Sequence, residues 1–130
     1  MKDISCLLID DDPDDQDMFC LILKEIPRKI TCLIAGNGQE ALQKLPKMDP
    51  RPDLIVLDLN MPIMNGFQFL QEIQHDEQIN TIPVIAFSTS SDLGLVELKK
   101  LGALEVFTKP NSLAGWEIVV KKMIALIPES

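Results

Sequence analysis

Apolar and polar positions along the chain follow two periods. Five short, mostly apolar runs, residues 4–9, 30–35, 54–57, 84–87 and 104–107, read as strands. Segments with helical spacing follow each of them. The first opens on Asp12-Pro13, a capping side chain followed by proline at the first helical position, and stops before Pro27. Its apolar residues Met18, Leu21, Ile22 and Ile26 are predicted on one inner face. Asn37 is predicted to cap a second helix with Ala41, Leu42 and Leu45 inward. A third, over 66–73, is predicted to bury Phe67, Leu70 and Ile73. Ser91 is predicted to cap a fourth with Leu95, Leu98 and Leu101 inward. Ser112 is predicted to cap the last, along a stripe of Leu113, Trp116, Val120, Met123 and Ile127. Residues 46–52 read as a proline-rich loop, and no repeat or low-complexity segment appears.

Strict alternation of strand and helix predicts an α/β fold with a parallel sheet covered on both faces. Runs one, three and four are nearly all apolar, as central strands must be. Runs two and five carry polar interruptions, Thr31 in one and Glu105 and Thr108 in or beside the other, which suits edges. The pattern fits a doubly wound five-stranded sheet of order 2-1-3-4-5, with a ligand crevice beyond the carboxyl ends of strands one and three. A length of 130 residues and 46% hydrophobic content predict a single domain without an output domain. No apolar run approaches the ~20 residues that cross a membrane. Residues 1–5 lead straight into a strand with no signal-peptide pattern, so a cytoplasmic protein is expected.

Twenty acidic and 12 basic residues leave a net charge of −8. Residues 1–17 hold seven of the acids (Asp3, Asp10, Asp11, Asp12, Asp14, Asp15 and Asp17) against Lys2 alone, whereas the rest of the chain is nearly balanced. One intensely acidic corner argues against nucleic acid as a partner. Three cysteines, Cys6, Cys20 and Cys32, cannot all pair and show no metal-ligand spacing, and they read as reduced core thiols.

Asp10-Asp11-Asp12 leaves the first strand and Asp58-Leu59-Asn60 the third. Ser88-Thr89-Ser90 leaves the fourth, and Thr108-Lys109-Pro110 the fifth. In this topology the four sets converge. Packed carboxylates repel one another unless a cation is present, and Mg²⁺ with carboxylate, carbonyl and water ligands would resolve the conflict. A lysine and a hydroxyl across the site suit an anion with spare oxygens. The implied chemistry is phosphoryl binding or transfer.

Ile9-Asp10-Asp11-Asp12, the run Leu57-Asp58-Leu59-Asn60-Met61-Pro62 followed by Asn65-Gly66, Ser88, and Lys109-Pro110 together resemble the receiver domain of two-component response regulators. The resemblance spans about residues 4–127, in the stand-alone, chemotaxis-regulator type with a flavodoxin-like (βα)5 sandwich. It also touches small regulators that work with phytochrome-type and other hybrid kinases. It implies that Asp58 takes a phosphoryl group from a kinase phosphohistidine. By the same resemblance Asp11 ligates Mg²⁺ directly, Asp10 holds metal-bound water, and Asn60 offers its backbone carbonyl. Lys109 would pair with Asp58 and then with a phosphoryl oxygen. Ser88 would be the switch hydroxyl, and Pro110 a cis-proline that aims Lys109.

Asp12 reads as a helix cap instead of a site residue. Asp14, Asp15 and Asp17 read as a solvated helix face, with kinase docking as the alternative. Thr89 and Ser90 are rival hydroxyls to Ser88. His75 is assigned no function. Two departures from the family pattern stand out. Thr89 replaces the usual Ala or Gly beside the switch hydroxyl, which predicts a long-lived phosphoryl group. Val106 replaces the usual aromatic switch residue, and neighbouring Phe107 should face the other way. A histidine kinase or phosphotransfer protein is expected as the donor and a protein target downstream. The face bearing Lys99, Lys100, Lys121 and Lys122 is where that target or a homodimer contact is expected, with plain solvated lysines as the default. Two rival functions are a Mg²⁺ phosphohydrolase, which Asn60 disfavours because it cannot protonate a leaving group, and a phosphorylation-independent scaffold.

Overall fold

A computed structural model describes residues 3–59, 61, 63–89 and 95–128, apart from the Leu95 side chain. The chain runs β1 (Ile4–Ile9), α1 (Pro13–Glu25), β2 (Ile30–Ala35), α2 (Gly38–Lys44), a short 3-10 turn (Leu45–Lys47), β3 (Leu54–Asp58), α3 (Gly66–Gln74), β4 (Val84–Ser88), α4 (Leu95–Lys100), β5 (Ala103–Thr108) and α5 (Leu113–Ala125). The strands form one parallel sheet in the expected order β2-β1-β3-β4-β5.

Alternation along the strands divides the core in two. Leu7, Ile9, Ile55, Leu57, Val84 and Ala86 pack against α2, α3 and α4 through Ala41, Phe69, Leu70, Ile73 and Leu98. Cys6, Leu8, Val56, Ile85 and Phe87 pack against α1 and α5 through Phe19, Ile22, Leu23, Trp116, Val120 and Met123. Val106 joins the first cluster and Phe107 the second, so their side chains lie on opposite faces as expected.

Three predicted caps form. Asp12 accepts from the Asp14 N–H, Asn37 from Glu40 and Ser112 from Gly115. Asn65 adds a reciprocal capping box with Gln68 at the start of α3. The predicted Ser91 cap lies outside the described residues, as do the Leu95 side chain and Ser90.

Several inward faces are rotated from expectation. On α1 the buried residues are Phe19, Ile22 and Leu23, while Leu21 is 56% exposed. On α3 Phe69 is buried and Phe67 only half-buried. Leu113 of α5 is exposed at the mouth of the helix, although Trp116, Val120, Met123 and Ile127 lie inward. Residues 18–23 are all apolar, so several stripes score alike, and docking onto the sheet selects among them.

The cysteines also depart from the reading as three reduced thiols. Cys20 of α1 and Cys32 of β2 are joined as a disulfide, with Cα atoms 5.9 Å apart. Cys6, beside Cys32 in the strand register, stays free and buried, and burial pushes its thiol up to about 12. The pairing depends on α1 lying over β2, a contact the cysteine spacing does not encode.

Candidate phosphoryl-transfer site

Register brings the site together. Ile9 is level with Leu57 on the neighbouring strand, so Asp10 and Asp58 emerge side by side. Ser88 is level with Thr108, and the Lys109 N–H donates to the Ser88 carbonyl at 2.6 Å, which ties the last two strand ends together. Just past Asp58 the chain turns tightly. A Cβ on Gly66 would meet the Leu59 Cα at 2.8 Å, so glycine lets the start of α3 press against the strand end.

Asp10 is 1% exposed. The Asp12 N–H donates to its Oδ1 at 2.9 Å, and the Gln16 side chain donates to its carbonyl at 2.7 Å. One oxygen from each of Asp10, Asp11 and Asp58 can lie within 4.8 Å of the others, Asp11 being the exposed member. These hard oxygen donors, two of them buried, fit a divalent cation such as Mg²⁺. Burial is the main reason that the Asp10 carboxyl is raised from 3.8 to about 6; the Asp12 N–H and Lys109 oppose it, and Asp58 adds to it.

The Lys109 ammonium faces three carboxylates: Asp15 at 2.7 Å, Asp10 at 3.0 Å and Asp58 at 3.4 Å. Burial alone would push it down, but Asp15, Asp10 and Asp58 together hold it above the usual lysine range. It also lies 5.7 Å from the centre of the Phe87 ring, which meets Trp116 edge-on with centroids 5.1 Å apart. Trp116 Nε1 donates to the Pro110 carbonyl at 3.1 Å.

Of the residues singled out in the sequence, Asp10, Asp11, Asp58 and Lys109 meet at one point. Ser88 is fully buried at the end of β4, with exposed Thr89 beside it. Asn60 and its carbonyl lie outside the described residues. The cis bond expected at Lys109-Pro110 is not there. It is trans, and the cis peptide among the described residues is Asp49-Pro50. Trans is the intrinsically favoured X-Pro isomer, and the flexible lysine stem reaches the carboxylates from it.

Sequence reasoning missed Asp15, which is an ion-pair partner of Lys109 and no part of a solvated face. It falls on the third position of α1, after the Asp12 cap, on the turn that follows Asp10. That placement was the only available signal.

Against known proteins, the model of the response regulator receiver domain matches residues 6–119. The protein-glutamate methylesterase/protein-glutamine glutaminase of Geobacillus kaustophilus is 33% identical over 111 residues, 85% of this chain and 31% of that protein. The chain therefore spans less than a third of that relative. Among solved structures, the phosphorylated cyanobacterial phytochrome response regulator RcpA superposes with a TM-score of 0.86 at 26% identity, covering 97% of this chain and 94% of that one. The Mn²⁺-bound form of response regulator Rcp1 gives 0.86 at 25%, covering 98% and 96%. The chain belongs to the response regulator receiver family, a family of signalling domains that accept phosphoryl groups from histidine kinases.

Proposed function

We propose that this protein accepts a phosphoryl group on Asp58 from a kinase or phosphotransfer-protein phosphohistidine, with Mg²⁺ bound by Asp10, Asp11 and Asp58, and relays the signal by phosphorylation-gated protein contacts. The observation that carries the reading is the approach of Lys109 Nζ to within 3.4 Å of Asp58 beside the three-carboxylate cluster. A carboxylate oxygen of Asp58 attacks phosphorus, the P–N bond breaks, and its electron pair returns to the imidazole. The product is an acyl phosphate. Mg²⁺ bound in the cluster supplies the charge neutralisation that lets two anions approach. Lys109 moves onto a phosphoryl oxygen and the Ser88 hydroxyl donates to another; Asn60 would complete the metal set with its carbonyl.

The domain turns over no external substrate beyond its own labelling and autodephosphorylation. Thr89 crowds the approach of water and prolongs the phosphoryl lifetime, and Val106 leaves Ser88 and α4 to carry the switch. It would act through a protein target or a homodimer in the cytoplasm, with neither nucleic acid nor membrane as a partner. Among the described residues no helix is long and apolar enough to cross a membrane.

Intact mass measurement after incubation with a small acyl phosphate tests the core of this reading. One phosphoryl group should be gained with Mg²⁺ and none with chelator or in Asp58→Asn; labelling that persists in that variant would remove Asp58 as the acceptor. In the labelled protein Thr89→Ala should shorten the lifetime several-fold, and a half-life of seconds in the wild type would refute the shielding role of Thr89.

A further inference from the structure

We propose that Asp15 is a positioning residue for Lys109: it holds the ammonium from the helix side while the lysine exchanges its other partners during phosphoryl transfer. This rests on the reading of Asp58 as the Mg²⁺-dependent phosphoacceptor. Lys109 is 7% exposed and has three N–H donors facing three carboxylates. Two of these, Asp10 and Asp58, also belong to the cluster that can share a cation, and Asp15 does not. A cation in that cluster draws Asp10 and Asp58 toward itself, and phosphorylation converts Asp58 into an acyl phosphate. Asp15 is the partner whose charge and place stay constant through both changes. It is also the nearest, at 2.7 Å, and 23% exposed, half-sheltered in the first turn of α1. A buried ammonium stripped of its partners is strongly disfavoured, so a constant partner lets Lys109 remain charged beside a divalent ion. Without it, the lysine would fall back onto Asp10 and Asp58 and compete with the cation for their oxygens.

The experiment is a calorimetric titration of unphosphorylated, chelator-stripped protein with MgCl₂ at low salt, on wild type, Asp15→Asn, Asp15→Glu and Asp14→Asn. Asp15→Asn should weaken Mg²⁺ binding about tenfold, the low end for loss of an outer partner that holds the groups around a metal site. Asp15→Glu, which restores the carboxylate, should recover to within about threefold of wild type. Asp14 is exposed on the same turn, so Asp14→Asn removes an equal charge without the lysine contact and should stay within about twofold. In labelling assays the Mg²⁺ concentration for half-maximal rate should rise with the dissociation constant in Asp15→Asn, with the saturated rate within about threefold of wild type. Equal losses in Asp14→Asn and Asp15→Asn would reduce the effect to bulk charge and overturn the proposal. So would an unchanged Mg²⁺ affinity, or a lowered saturated rate at unchanged Mg²⁺ dependence. Failure of the wild type to accept any phosphoryl group would sink the phosphoacceptor reading instead, and the calorimetric comparison would still decide the role of Asp15.

Discussion

The Asp10 carboxyl is buried beside Asp58, Lys109 and the cap of α1, and it ionises near 6 where an ordinary aspartate does so near 3.8. In the metal-free protein its contribution to stability is therefore fully present below about 3.8. It is lost as pH rises through about 6, because the unfolded chain releases the proton first. Denaturant melts in chelator should show stability falling across this window, and Asp10→Asn should flatten the fall. A stability that instead rises there in wild type alone would refute the burial-driven shift. Mg²⁺ binding needs the ionised form, so affinity should climb over the same interval and then level off. The meeting of Asp10, Asp11, Asp58 and Lys109 was legible because strand ends are marked by the switch from apolar to polar residues. Asp15 was not, since it lies inside the first turn of α1, past the strand end, where nothing in the local pattern sets it apart from Asp14.

At the scale of elements, α1 shows how packing selects among equivalent stripes. Phe19→Ala should cost about 3–5 kcal/mol, whereas Leu21→Ala on the exposed side should stay within about 0.5 kcal/mol. Comparable losses in urea melts would restore the Leu21-centred face. The Cys20–Cys32 disulfide fastens the same helix to β2 and closes a loop with a sequence separation of 12, worth about 3 kcal/mol on a chain-entropy basis. Adding a thiol reductant should lower the melting temperature by the matching amount. A Cys20→Ser/Cys32→Ser pair should melt like the reduced protein and ignore reductant. At α3, Asn65→Ala removes half of a capping box and should cost about 1 kcal/mol. Caps of this kind were partly readable, because a short polar side chain before an apolar period has few other uses.

Across the whole molecule, the carboxyl end of the sheet, where the acids gather, is also the end that a cation would stabilise. Mg²⁺ at about 100 times its dissociation constant should add about 2.7 kcal/mol to unfolding stability, and Asp11→Asn should remove most of that gain. An equal gain in the variant would place the ion elsewhere. From the far side of the site, Lys109 reaches α5 through the Phe87 ring and Trp116, while Pro110 meets the same indole through its carbonyl. The sequence by itself determined the alternation of elements, and with it the strand order. Central strands must be apolar on both faces, and parallel neighbours need a helix between them. It determined the convergence of Asp10, Asp11, Asp58 and Lys109, because that follows from topology alone. Only the tertiary structure decided which stripe of α1 turns inward, that Cys20 meets Cys32, that Lys109-Pro110 is trans and that Asp15 grips the lysine. Each of these depends on how far a helix rotates and shifts as it settles on the sheet. Local periodicity leaves that choice open, and side-chain packing across long stretches of chain makes it.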